Sequence, residues 1–442
     1  MARDDDNFGL YLGLGDHGTA WSGRERSTLV LGPSRSGKTS SLVVPNILTA
    51  RGATVSTSTK PDVLMATASA RRRVGWTMLF DPSGSVDVPR GVLKVGWSPL
   101  NAAFEWDGAL AIADAMVRAA RGDNRGARAS DGDHWRERAS SLLAPVLHAA
   151  AISSTPMGDV LSWVDRHDGA RALKTLDDAH ADPAASDVLA GILATDEREQ
   201  SGIWSTASGV LSAYRSRSAI ESTKAPYLDV SEFCSQASTL YVCAPGRSQQ
   251  LLAPLVVGLL CEITDAAYER ARTHGPDPPV VFALDEVANI APLPDLPAIV
   301  SEGAGQGLLT LACLQDLSQA RSRWGRDAEG FLSLFGTTVV LPGIADIATL
   351  QALSTLAGEV TRPVQTLGVS EGNRRRLTRS VSTTIALRKR LPPDVIARGV
   401  AGLAMALDAG ANIGWVKLTP FFDRLLEAPR RVGRDLEPFS RG

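Results

Sequence analysis

No two cysteines in this sequence form a C-x-x-C pair. The four present, Cys234, Cys243, Cys261 and Cys313, are scattered through apolar stretches such as TLYVCAP and LLTLACLQ. That excludes a zinc knuckle and predicts buried, reduced thiols of the kind a reducing cytoplasm keeps. The six histidines lack H-x-x-x-H spacing, which removes the other common metal set. No run of about 20 apolar residues occurs, the length a membrane-spanning helix needs. The nearest candidate, LLAPLVVGLLCEI, is shorter, carries Glu262 and reads as a buried helix. The first residues, MARDDDNFG, are acidic where a secretory signal is apolar. A dominant charge is missing too: 46 Lys and Arg face 48 Asp and Glu, a net of −2. Bulk charge gives no sign of a nucleic-acid binder, although a local basic lining stays open.

What is present is ordinary globular composition, 44% hydrophobic and 21% charged over 442 residues. That length accommodates about two to three domains. TLVL (Thr28–Leu31), GATVSTSTKPD and GWTMLFDPSG each read as an apolar strand running into a turn, with helical stretches between them. Strands alternating with helices predict a mostly parallel sheet. From about Asn101 the texture turns to alanine-rich helical periods, and no strong strand returns until about Leu240. The spacing predicts three parts: 1–101 as the first part of a nucleotide-binding α/β domain, 102–226 as an all-α insertion forming a bundle of its own, and 227–442 as the remainder. Within the insertion, ARGDNRGARASDGD reads as a polar, mobile loop, and Trp135 and Trp204 as core. Further strands are expected in STLYVCAP, PPVVFALDEVA, GLLTLACLQ, TTVVLPG and ANIGWVKLTPFF, and a long helix over QQLLAPLVVGLLCEITDAAYERAR.

Three of these elements carry chemistry. GPSRSGKT matches G-x-x-x-x-G-K-[ST] between a strand and a helix. Such a loop cradles phosphates in its backbone N–H groups, so Gly32, Pro33, Ser34, Arg35, Ser36, Gly37, Lys38, Thr39 and Ser40 are the expected nucleotide cradle. Lys38 supplies a point charge to the β/γ-phosphates, and the Thr39 hydroxyl can hold Mg²⁺. VVFALDE ends an apolar strand on two acids. Asp285 suits the Mg²⁺ ion, and Glu286 suits the general base that polarises water. Gln315 ends LLTLACLQ, where an amide can reach a γ-phosphate or its water, although Gln is common at strand ends. ATP and Mg²⁺ are the expected ligands. Two basic runs, Arg71 to Arg73 and Arg374 to Arg376, can touch DNA phosphates, although such runs are ordinarily solvated faces. One feature looks wrong for a loop that feeds a helix. Pro45 falls seven residues after Lys38.

The proline is explained by a resemblance. LGPSRSGKTSSLVVPNIL, STKPDVL, FDPSG, GWSPLNA, HWRERASSLLAPVL, ALDEVANIAPLPDLPAIVSEGAGQGLLTLACLQDLSQARSRWG, LPPDVIARG and GWVKLTPFF together resemble the TraG/TraD-type coupling proteins of conjugative type IV secretion, over nearly the whole chain. The family carries a proline at this place. The resemblance implies a RecA-like P-loop ATPase with an all-α domain for substrate recognition. It implies a hexamer in action, with the isolated chain monomeric, at the cytoplasmic face of the membrane. The partners it implies are a relaxase with single-stranded DNA or effector proteins, and the secretion channel. The family's membrane anchor is expected to lie outside this chain. Lys38, Thr39, Asp285, Glu286 and Gln315 take the family's site positions, with Lys38, Glu286 and Gln315 catalytic.

The sequence departs from the family in the loop SEGAGQG, where Ala304 and Gln306 stand at places usually held by arginines, one acting across a subunit interface. Slow hydrolysis is expected, with an arginine placed at 304 raising it, unless Arg321, Arg323, Arg326 or Arg362 substitutes. Two alternatives stay open. One is a double-stranded DNA translocase of the FtsK/HerA kind, which rarely has such an insertion. The other is a nucleotide-binding adaptor with little hydrolysis.

Overall fold

The computed structural model describes residues 9–16, 18–120, 129–371, 377–408 and 413–423. The strands in chain order are β1 (Tyr11–Gly15), β2 (Gly18–Trp21), β3 (Thr28–Leu31), β4 (Thr54–Ser58), β5 (Thr77–Phe80), β6 (Leu93–Lys94) and β7 (Thr239–Cys243). They continue with β8 (Val280–Leu284), β9 (Leu308–Leu314), β10 (Thr337–Val340), β11 (Glu359–Glu371), β12 (Leu377–Lys389), β13 (Leu403–Asp408) and β14 (Ile413–Lys417). Twelve of them form one sheet in the order β2-β1-β14-β13-β10-β3-β9-β8-β4-β7-β5-β6. From β10 to β6 every neighbouring pair is parallel. From β10 outward to β2 every pair is antiparallel. The fold is thus α/β with a mostly parallel sheet, as the alternation of strands and helices implies.

The central strands TLVL, TVSTS, VVFAL and LLTLACL are buried along their whole length. Both faces of a parallel sheet are covered by helices, so such strands tend to be near-continuous apolar runs; TLVL, VVFAL and LLTLACL follow this, whereas TVSTS buries four hydroxyl side chains. Alternate residues still divide between two apolar clusters. Leu29 and Leu31 face one and Val30 the other, and likewise Phe282 and Val281. β13, inside the sheet between β14 and β10, and the β1–β2 hairpin at its edge were not foreseen, because such short runs carry little period of their own.

Between β6 and β7 the described residues form only helices, from Pro99–Ala102 to Val230–Ser235. The two ends of this insertion are tied together at the sheet. Gly96 N–H donates to Pro226 O at 2.8 Å, and Leu228 N–H donates to Gly96 O at 2.9 Å. Its helices do not own a separate core. One apolar cluster joins Ile112, Met116, Leu143 and Trp204 of the insertion to Leu31, Phe282 and Leu314 of the sheet. The helix Gln249–His274 is the join. By length and composition alone it could cross a membrane, but 67% of its apolar window is buried inside the fold. At Gly258 a Cβ would come within 2.7 Å of the Trp97 ring and 3.1 Å of Ile112, so only glycine lets the insertion sit this close. Trp97 Nε1 donates to Glu262 Oε2 at 2.6 Å across the same contact. Burial pushes the Glu262 carboxyl above its usual range, and the bond from Trp97 offsets part of that. Trp204 is fully enclosed, and Trp135 lies against Gly202.

Of the basic runs, Arg374 to Arg376 and most of the polar loop after Ala120 lie outside the described residues. The stretch LTRSVST falls in β12, which pairs with β11 as a separate ribbon. Arg71 is not available to any DNA. It is 1% exposed. Its Nε donates to Thr239 Oγ1 at 2.7 Å, and its Nη1 donates to Ala50 O at 2.6 Å. Nη2 reaches Gly52 O at 3.3 Å and Ala237 O at 3.2 Å. Burial lowers its pKa from the ordinary value. The guanidinium fork thus staples the entries of β4 and β7 from inside the fold.

An ammonium has fewer donors and no fork, so Arg71→Lys should destabilise the chain by about 2 kcal/mol or more. Urea unfolding measures this, and an unchanged midpoint would refute the staple.

Candidate nucleotide site

Four adjacent strands, β3, β9, β8 and β4, run parallel and end at one edge of the sheet. β3 runs into the loop Gly32–Ser40, β9 into Gln315, β8 into Asp285-Glu286, and β4 into Thr59-Lys60. Residues far apart in the chain therefore meet where open α/β sheets bind ligands, outside the carboxyl ends of their strands. A cleft of about 580 Å³ lies there, lined by Ser34 to Ser40, Asp285, Glu286 and Gln315. Gly32 and Pro33, at the start of the loop, are not among the lining residues.

The loop is compact for stated reasons. A Cβ on Gly32 would come within 2.8 Å of Leu341 Cβ, and Gly37 has φ +94°. Lys38 is buried, and its ammonium donates to Gly32 O and, at 2.9 Å, to Pro33 O. Arg35 is exposed, with φ 64°. The helix that follows resolves the Pro45 question. Thr39–Val43 is a π-turn, in which Val44 N–H bonds to Thr39 O, and an α-helix then runs over Val44–Thr49. Proline has no N–H, and its ring crowds the carbonyl four residues back, here that of Ser41. Widening the ladder just before Pro45 relieves that crowding, and such π-bulges are frequent at functional sites. Asn46 completes the repair. It is buried, and its side chain donates to Leu42 O and Tyr11 O, both at 2.9 Å, and accepts from Tyr11 N–H at 2.7 Å.

The two acids occupy different environments. Asp285 is buried, and its Oδ2 accepts a 2.7 Å hydrogen bond from Thr39 Oγ1. Burial raises the Asp285 carboxyl above its usual range, while the Thr39 bond and the Lys38 charge pull the other way. Glu286 has left-handed backbone angles, φ 55° and ψ 50°, as the cap of the short helix Val287–Ile290. A non-glycine residue there is strained, and such strain gathers at functional sites. Asn289 Nδ2 reaches Glu286 Oε2 at 3.4 Å. Gln315 Nε2 reaches Ser34 Oγ at 3.4 Å, and its own N–H donates to Gln319 Oε1 at 2.8 Å. Thr59, Lys60, Asp62, Gln319, Phe421 and Phe422 also line the cleft. None of them was singled out from sequence as a site residue. The stretch STKPDVL after β4 was a signal in the sequence, but that it joins this cleft follows only from β4's place beside β8 in the sheet. Among the described residues no group of three or more His, Cys, Asp or Glu side chains could hold a metal ion.

The family model for type IV secretory system conjugative DNA transfer matches residues 5–398. The chain belongs to this conjugative DNA-transfer family. No curated protein matches it significantly. Among solved structures, the bacterial conjugative coupling protein TrwBdeltaN70 with sulphate is similar at TM-score 0.66 and 19% identity, covering 90% of this chain and 86% of that one. Plasmid coupling protein TrwB with ADP and Mg²⁺ is similar at TM-score 0.58 and 18% identity, covering 94% and 87%. TrwB with a non-hydrolysable GTP analogue is similar at TM-score 0.57 and 18% identity, covering 90% and 86%. At these identities the likeness speaks for the fold, a RecA-like P-loop architecture with its all-α part.

This member of the conjugative transfer family differs from expectation in its arginines. Ala304 is 8% exposed and packs in an apolar cluster, so an arginine at 304 would have to be buried. Gln306, two residues on, is exposed. Their loop precedes Leu308 at the amino end of β9, while Gln315 follows its carboxyl end. Seven residues of strand put about 20 Å between them, so the loop cannot serve its own cleft. Arg321 is paired with Asp346 at 2.8 Å, and Arg323 Nη2 donates to Ala119 O at 2.6 Å. Arg326 and Arg362 are exposed.

The strain at Glu286 is testable apart from activity. Glycine occupies left-handed angles at no steric cost, so Glu286→Gly should stabilise the ligand-free chain by about 1 kcal/mol. A lower melting temperature in that variant would remove strain from the account of this residue.

Proposed function

We propose that this chain is the ATP-hydrolysing motor of a conjugative type IV secretion machine, handing relaxase-bound single-stranded DNA or effector proteins to the channel. One observation carries the reading: the phosphate loop, the acid pair and Gln315 surround one cleft, with Thr39 and Asp285 joined by a 2.7 Å hydrogen bond. The similar TrwB structures with ADP and Mg²⁺, and with ATP and GTP analogues, support a nucleotide as the ligand. The donor set fits Mg²⁺, which is held by one or two hard oxygens and otherwise by phosphates and water. Thr39 and Asp285 would hold the ion. Bound there, Mg²⁺ would neutralise charge on the β- and γ-phosphates.

The residues then have separate tasks. Lys38 leaves the carbonyls of Gly32 and Pro33 for the phosphates, exchanging dipoles for full charges. The backbone of Gly32 to Ser40 orients the triphosphate, with Pro33, Ser34, Arg35 and Ser36 at its turn. Glu286 takes a proton from the attacking water as general base. Gln315, within reach of Ser34, orients that water and reports the γ-phosphate to the helix Leu317–Trp324 that follows. Residues 102–226 read the cargo. The working form is a hexamer at the cytoplasmic face of the membrane, where a neighbour can supply the arginine that Ala304 and Gln306 do not. A chain with little hydrolysis, acting as a nucleotide-bound adaptor, is favoured only by that missing arginine.

Steady-state ATPase assays separate the readings. Turnover stimulated by single-stranded DNA supports the coupling motor, and stimulation by duplex DNA alone points to a double-stranded translocase. Turnover absent under every condition leaves the adaptor. Glu286→Gln should bind ATP like the parent and lose at least about a hundredfold in turnover, as expected for removing a general base. Parental turnover in this variant assigns the base elsewhere. A trans arginine is worth about a thousandfold or more in hydrolysis. Gln306→Arg should therefore raise the DNA-stimulated rate, increasingly so with protein concentration. A rate unmoved at any concentration would show that this loop does not face a neighbour's cleft.

A further inference from the structure

We infer that Phe422 is the platform on which the base of a bound nucleotide stacks, held in place by Phe421. The inference rests on the nucleotide reading above and adds a recognition residue to it. The short turn Phe421–Asp423 packs against the π-turn Thr39–Val43, directly beside the phosphate loop. Phe421 is half-buried against the apolar cluster that contains Leu42 and Val43. Phe422 is 68% exposed. The two rings meet edge to face, 5.4 Å between centroids at 75°. Both line the cleft that Lys38, Thr39 and Ser40 also line.

A large aromatic ring left in water is unfavourable by the apolar area it exposes. Other aromatic side chains are also exposed, among them Trp76, Phe104 and Tyr227, but they do not line this cleft. Phe421 supplies what a stacking platform needs, a fixed partner that holds the outer ring edge-on. A nucleobase has a flat apolar face, and stacking on an aromatic ring suits any base. The polar residues on that cleft wall, Lys60 and Asp62, are exposed. Hydrogen bonds from them compete with water, so stacking carries most of the affinity for the base.

Calorimetric titration of Mg·ATP and of inorganic tripolyphosphate, which has phosphates and no base, tests this. Phe422→Ala should weaken ATP binding about tenfold and leave tripolyphosphate unchanged. Phe422→Trp should restore ATP affinity, and its added indole emission should respond to ATP and not to tripolyphosphate. ATP affinity unchanged in Phe422→Ala overturns the platform. So does an equal loss of both ligands, which would mark Phe422 as a support of the phosphate loop. A parent that binds neither ligand would instead sink the nucleotide reading on which the platform depends.

Discussion

The hydrogen bond from Thr39 to Asp285 joins residues 246 positions apart in the chain, and it exists only because β3, β9, β8 and β4 lie side by side in parallel. Leu31 pairs with Leu314, and Leu284 pairs with Ala312. In that register the residues after each strand emerge together. A slip of one residue in β8 would turn Asp285 to the other face of the sheet. It would also place Phe282 and Leu284 in the wrong apolar cluster, so the burial of the core holds the site in register.

The helix after the phosphate loop shows how a local conflict is absorbed. Pro45 would break a regular ladder, and the chain answers with a π-turn, a side-chain bond from Asn46 to the Leu42 carbonyl, and a tie from Asn46 to β1. Those compensations place the widened turn directly after Lys38 and against Phe421. The residue that looks least suited to a phosphate loop thus sets the shape of the wall beside it.

The insertion is fastened to the α/β part by packing, by an ion pair and by a hydrogen bond. Arg118 bonds both oxygens of Asp295, at 2.8 and 3.1 Å, and Arg323 caps the helix Trp106–Ala119 through Ala119 O. Arg323 stands on the helix that begins two residues after Gln315. One short helix therefore touches both the cleft, through Gln319, and the helical part, through Arg323. The continuous apolar cluster explains why excising the helices would expose the face of Gln249–His274, so cargo recognition is better probed by surface substitutions than by deletion.

Much was readable from the residues alone. TLVL before GPSRSGKT, and VVFAL before Asp285, are short apolar runs against turn signals, and local sterics and burial make them strands into loops. The phosphate loop, the acid pair and the long helix over residues 249–274 are of this kind, because each is encoded within a few consecutive residues. The edge strands, the burial of Arg71 and of Ala304, and the approach of Phe422 to the loop were not readable. Arg71 sits in a basic run that resembles a solvated face, and only the closing of β4 and β7 around it supplies the carbonyls that bury it. Phe422 is an ordinary aromatic near the end of the chain until β14 pairs with β1 and brings the turn after it against Thr39–Val43. What consecutive residues encode follows from dihedral preference and hydrophobic period. What distant residues share follows from sheet order, and no local pattern in the sequence carries that.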